Sequence, residues 1–126
     1  MILLDTHAFY WYMCDKDRLT PAIMNAIETA ERVCVSIATF WEMTIKYSLG
    51  KLILPVPLSS MMEACGQFSI TILPINADHL TCLSTLPYIH RDPFDRMLIA
   101  QAIAEGLTII TADHMIPQYP VSTYWK

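Results

Sequence analysis

The sequence predicts an α/β fold on a mainly parallel sheet covered by helices on both faces. Three observations point to it. Short apolar runs at residues 2–5, 33–36, 70–73 and 107–111 alternate with segments of helical periodicity, the order expected when helices cross over between parallel strands. Helix start and stop residues stand between those runs. Finally, four stretches each carry an acid where a strand gives way to a helix: Ile2-Leu3-Leu4-Asp5, the segment from Ser36 to Glu42, the segment from His90 to Arg96, and Ile109-Ile110-Thr111-Ala112-Asp113.

The elements follow in order. Residues 2–5 form the first strand. Thr20-Pro21 is a capping residue followed by proline at the first helical position, and it opens a helix to about residue 31. Residues 33–36 are the second strand, followed by a helix to about residue 49 that Gly50 closes as a left-handed cap. Residues 52–57 read as an extended connector. Ser60 and Glu63 have capping-box spacing and are expected to open a helix to about residue 67. Residues 70–73 are the third strand, and Asn76 caps a helix to about residue 85. Asp92-Pro93 opens another helix, which Gly106 ends before the fourth strand at 107–111. A short last strand is expected at 121–124.

The chain has 126 residues, which suits one domain with a single well-filled core. Apolar residues make up 54% and mean hydropathy is +0.37. No apolar run approaches the roughly 18 residues of a membrane span, and no leader pattern directs secretion. The surplus apolar surface is therefore assigned to a subunit or partner interface. Cys14, Cys34, Cys65 and Cys82 form no C-x-x-C pair, so free thiols in a reducing cytoplasm are expected. Net charge is −4. A protein gripping nucleic acid mainly through its overall field would be basic, so any action on nucleic acid must rest on local geometry.

In a parallel sheet the carboxyl ends of the strands share one rim, where such folds build their sites. Acids scattered along the chain would meet there. Carboxylates a few ångströms apart resist ionising together unless a cation sits among them, so the pattern points to a divalent metal site. Each acid also has an ordinary structural reading. Asp5 can serve as a turn or cap residue. Glu42 has capping-box spacing from Thr39 and stands four residues before Lys46. Asp92 before Pro93 is a natural N-cap, which leaves Asp95 at the third helical position, where the positive helix end favours a carboxylate. Asp113 can be a loop acid. All four placements together favour the metal site.

Other chemistries fit poorly. His7, His79, His90 and His114 offer no i, i+4 ligand pair for zinc. Gly50, Gly66 and Gly106 make no phosphate-binding loop. Ser36 lacks a histidine partner for a nucleophilic triad. A receiver-type phosphoacceptor would need adjacent acids after the first strand, and a haloacid-dehalogenase-type phosphatase would need an acid where His7 stands.

Four segments resemble the PIN-domain family, and within it the VapC-like toxin ribonucleases. They are Leu3-Leu4-Asp5-Thr6-His7-Ala8; Trp41-Glu42-Met43 with Lys46 and Gly50-Lys51-Leu52; the run from His90 to Ala102; and Thr111-Ala112-Asp113. The resemblance covers almost the whole chain, and the run from His90 is the most specific. It implies a three-layer α/β/α fold around a parallel sheet of about five strands, with Mg²⁺- or Mn²⁺-dependent endoribonuclease activity. By that resemblance the catalytic acids are Asp5, Glu42, Asp95 and Asp113. Asp5 and Asp95 are expected to bind metal directly, and Glu42 and Asp113 through water. Asp92, Thr111 and Ser36 would support them, while Lys46, Arg91 and Arg96 are cations able to meet RNA phosphate or to pair with the acids.

The resemblance also implies a cognate antitoxin protein, and a homodimer is expected. A groove lined partly by residues 9–13 would take an amphipathic antitoxin helix. The alternative is a catalytically silent PIN fold that only binds protein; four filled acid positions weigh against it.

Overall fold

Alternation along each strand decides which side chains go to which face of the sheet. In the computed structural model, which describes residues 1–126, β1 (Ile2–Leu4), β2 (Val33–Ser36), β3 (Ile70–Leu73), β4 (Thr108–Ile110) and β5 (Thr123–Tyr124) form one sheet in the order β3-β2-β1-β4-β5. Every pairing is parallel. Leu3 lies in register with Cys34 and Ile109, and these three side chains share one core. Leu4, Val35 and Ile110, one residue on, share the other.

The Leu4 face is covered by α1 (Thr6–Cys14), α2 (Pro21–Thr29) and α4 (Leu58–Gln67), through Phe9, Ile23, Ile27 and Met61. α3 (Ile37–Ser48) adds Phe40 and Met43. The Leu3 face is covered by α6 (Pro93–Glu105), through Leu98, Ile99 and Ala102, with α5 (Ala77–Thr85) packed on α6. Residues 97 to 102 of α6 are all buried, because that helix lies between the sheet, α3 and α5. The result is the three-layer α/β/α arrangement that the family resemblance implied.

Many of the expected boundaries are present, with their caps. The Thr20 side chain accepts from Ile23 N–H at the start of α2, and Asn76 shares a capping box with His79 at the start of α5. Asp92 accepts from the Phe94 and Asp95 amides at 2.8 and 3.1 Å. Gly50, at φ +70°, closes α3 in a Schellman turn: Lys51 N–H reaches Lys46 O at 2.8 Å and Gly50 N–H reaches Tyr47 O at 3.1 Å.

Four local readings differ. α1 was not among the expected helices, and Asp5, read only as a possible turn or cap residue, is its N-cap: its Oδ1 accepts from Ala8 N–H at 2.8 Å. Its residues are mostly aromatic or apolar on every side, so helical contrast is weak. Phe9 and Tyr12 are buried in the core, which leaves only Tyr10, Trp11 and Met13 of the 9–13 run to line a groove. Thr39 and Glu42 do not form a capping box, since Ser36 caps α3 through Ala38 N–H and Glu42 lies inside the helix. Ser60 is likewise inside α4, which starts at Leu58 without a side-chain cap.

Candidate active site

β1 has β2 on one side and β4 on the other, so the chain order reverses between β1 and β4. That crevice at the carboxyl ends is where open α/β sheets bind ligands. Asp5 leaves β1 there, and its N–H still donates to Ile110 O at 3.2 Å. Across the crevice, the Thr111 hydroxyl accepts from Asp113 N–H at 3.0 Å and so fixes the turn after β4. Asp92 and Asp95 come in on the first turn of α6, and Glu42 on the second turn of α3.

Burial and mutual repulsion are strongest at two of these acids. Asp5 is 5% exposed, and burial raises its pKa above the ordinary range, offset in part by the Thr111 hydroxyl, the Ala8 amide and His7, with Asp113 pushing it up further. Asp95 is pushed up to about 7, first by burial, then by the Asp92 and Asp5 carboxylates, with His90 pulling it down and Glu42 adding repulsion. These mutual effects tie Asp5, Glu42, Asp92 and Asp95 to one site.

The remaining acids are compensated. Glu42 accepts from the Thr6 hydroxyl at 2.7 Å and pairs with Lys46 Nζ at 2.8 Å. Asp113 is raised by burial but lowered more by the Met115 amide and by His90, so its net shift is downward. Thr111 is the hydroxyl that faces Asp5, whereas Ser36 spends its side chain on the α3 cap.

His90 is the residue that sequence reasoning set aside. Its Nε2 lies 3.0 Å from Asp95 Oδ2 and 3.2 Å from Asp113 Oδ2, and the ligand atoms of these three residues lie within 4.8 Å of one another. Asp92 N–H donates to His90 Nδ1 at 3.2 Å, which assigns the ring proton of the neutral imidazole to Nε2, facing the two acids. Tyr119 Oη fixes the segment by accepting from Ile89 N–H, His90 N–H and Arg96 at 3.0, 2.8 and 3.1 Å. The search for i, i+4 zinc pairs could not find a histidine that works by bridging acids. Its place two residues before the Asp92 cap was the available signal.

The three cations divide. Lys46 is held by Glu42, and Arg96 by Pro87 O and Tyr119. Arg91 is exposed and makes no side-chain hydrogen bond or ion pair.

Comparison with known proteins gives this arrangement a family. The PIN-domain family model matches residues 2–121. The chain belongs to the PIN-domain family. A curated relative, Ribonuclease VapC22 of Mycobacterium tuberculosis (strain ATCC 25618 / H37Rv), is 26% identical over 115 residues, covering 91% of this chain and 88% of the relative. Among solved structures, VapBC2 from Rickettsia felis bound to a promoter DNA fragment superposes with a TM-score of 0.72 at 17% identity, covering 100% of both chains. VapBC from Salmonella typhimurium, bound to DNA, gives 0.66 at 17% identity, covering 98% of each. These structural likenesses support the PIN fold assigned to the strand order and layers.

Proposed function

We propose that this PIN domain is a divalent-metal-dependent endoribonuclease acting as the toxin of a toxin–antitoxin pair. One observation carries the reading: Asp5 and Asp95 share the β1/β4 crevice, and both are held above the ordinary carboxylate range. A carboxylate cluster whose repulsion His90 relieves only in part suits Mg²⁺ or Mn²⁺, which take hard oxygen ligands and keep several waters. The likeness to a VapC ribonuclease and to VapBC complexes supports the substrate class and the antitoxin partner.

The donor set fits such an ion. Asp5 and Asp95 would hold it directly, with Glu42 and Asp113 acting through water. When bound, the cation supplies charge neutralisation at a phosphate oxygen and lowers the pKa of water. The chain's own residues do the rest. Thr6 and Lys46 fix both oxygens of Glu42, so that carboxylate cannot swing into the cation's place. His90 holds Asp95 and Asp113 a fixed distance apart, and Asp92 sets the His90 tautomer while capping α6. Of Lys46, Arg91 and Arg96, Arg91 is left free to meet RNA phosphate.

Exposed apolar side chains, among them Trp41, Leu49, Ile53 and Tyr88, support the expectation of a protein partner and a second copy of the chain. The test of the function is RNA cleavage by highly purified protein. Cleavage with Mg²⁺ or Mn²⁺ that stops with EDTA supports the proposal, and robust cleavage in excess EDTA overturns the metal mechanism.

A further inference from the structure

Beside the acid cluster lies a cavity of about 230 Å³, lined in part by Thr6, His7, Trp11, Lys46 and Lys51. We propose that it is a nucleobase pocket, holding one unpaired base of single-stranded RNA next to the phosphodiester that is cut. The proposal rests on the ribonuclease reading for its substrate class.

The cavity and the acid site share a wall. Thr6 and Lys46 line the cavity, and both bond Glu42, at 2.7 and 2.8 Å. A nucleotide seated in the cavity therefore has its backbone at the edge of the acid cluster. The aromatic surface is already assembled. His7 stacks on Trp11 with ring centres 5.6 Å apart and planes 25° from parallel, Trp125 packs against Trp11 at 5.9 Å, and the Arg18 guanidinium lies 5.9 Å from the Trp11 ring. His7 is exposed and its ring is backed by Trp11, which its own neighbours hold in place, so a base seated here extends an existing stack, and every base has a face suited to that contact.

Charge and size favour this occupant over a peptide helix. The chain as a whole is acidic, yet Lys46, Lys51 and Arg18 gather around this aromatic patch. Lys46 is committed to Glu42 and Arg18 pairs with Asp15, whereas Lys51 is exposed and makes no ion pair, so Lys51 is the cation of this patch available to a phosphate. A volume of about 230 Å³ lies below the roughly 300 Å³ at which drug-sized pockets begin, while an α-helix with side chains is about 10–12 Å across. One planar base suits the space, which a helix would enter only through single side chains.

The test measures binding of short single-stranded RNA with EDTA present, so that cleavage plays no part. A set of oligonucleotides carries one abasic position each, moved along the strand. For the unaltered protein, one position should cost about tenfold or more in affinity, the scale of a lost base–aromatic stack. That penalty should vanish in Trp11→Ala and persist in Trp11→Phe, which keeps an aromatic face. Lys51→Ala, at an exposed position, should weaken binding to every oligonucleotide alike and reduce the salt dependence. A flat abasic profile in the unaltered protein overturns the proposal. So does a profile unchanged in Trp11→Ala, which would leave the pocket to a protein partner. The two readings fail separately: a chain that cleaves RNA but shows a flat profile loses only the base pocket, and a chain with a position-specific profile that never cleaves loses only the nuclease.

Discussion

The two sides of the acid cluster differ in how their charges are balanced. On the α3 side, Glu42 has a partner for each oxygen, Thr6 and Lys46. At the β1/β4 crevice, burial holds Asp5 and Asp95 upward despite their partners: Asp5 against the Thr111 hydroxyl and the Ala8 amide, and Asp95, to about 7, with Asp92 and Asp5 adding repulsion and His90 relieving it only in part. Structural acids are satisfied by the fold that carries them. Acids held above the ordinary range in a crevice, despite the partners they have, are poised for something the chain itself does not supply. The difference therefore separates acids expected to hold a cation from an acid that frames it.

The sharpest way to break this comparison is substitution of each acid by its amide. Asp95→Asn and Asp5→Asn should each reduce RNA cleavage by on the order of 10³-fold or more, since each removes a direct ligand, with the circular dichroism spectrum unchanged. Glu42→Gln keeps an acceptor for Thr6 but loses the Lys46 pair, and should cost about 10- to 100-fold. Asp92→Asn should stay within a few-fold, because asparagine also caps a helix well. Loss from Asp92→Asn equal to that from Asp95→Asn would show that the cap and ligand roles are wrongly divided.

Stability sharpens the same comparison. Asp95 has a folded pKa above its unfolded value, so its contribution is fully present below about pH 4 and is lost as pH rises through about 7. In metal-free buffer at pH 8, Asp95→Asn should therefore melt higher than the unaltered protein, by about 5 °C, and the gap should shrink at pH 5. Glu42→Gln should show no such gain, because its carboxylate is already paired. Thermal melts of both variants in EDTA at the two pH values check this.

Much of this architecture was legible because local signals and tertiary structure agree. Thr20-Pro21, Asn76, Asp92-Pro93, Gly50 and Gly106 each act where their chemistry places them. The strand-end acids were legible because a parallel sheet gathers its carboxyl ends. α1 was not, since its cap is a candidate site residue and its apolar side chains show little helical contrast. Glu42 illustrates a different limit. Its spacing from Thr39 matches a capping box, but Ser36 takes the cap three residues earlier, and only the packing shows that Thr6 occupies the Glu42 oxygen. His90 was hidden for a third reason: its partners lie 5 and 23 residues away, bridged across α6 and the β4 turn.

Titration calorimetry with Mn²⁺ at pH 7, in buffers of different ionisation enthalpy, tests the central claim most directly. The account predicts one class of site whose occupation releases protons, because Asp95 is partly protonated without metal and must ionise to bind it. Binding and proton release should both be lost in Asp95→Asn and Asp5→Asn, and binding should be retained, though weakened, in Glu42→Gln. Mn²⁺ affinity and proton release left unchanged by Asp95→Asn would contradict the account.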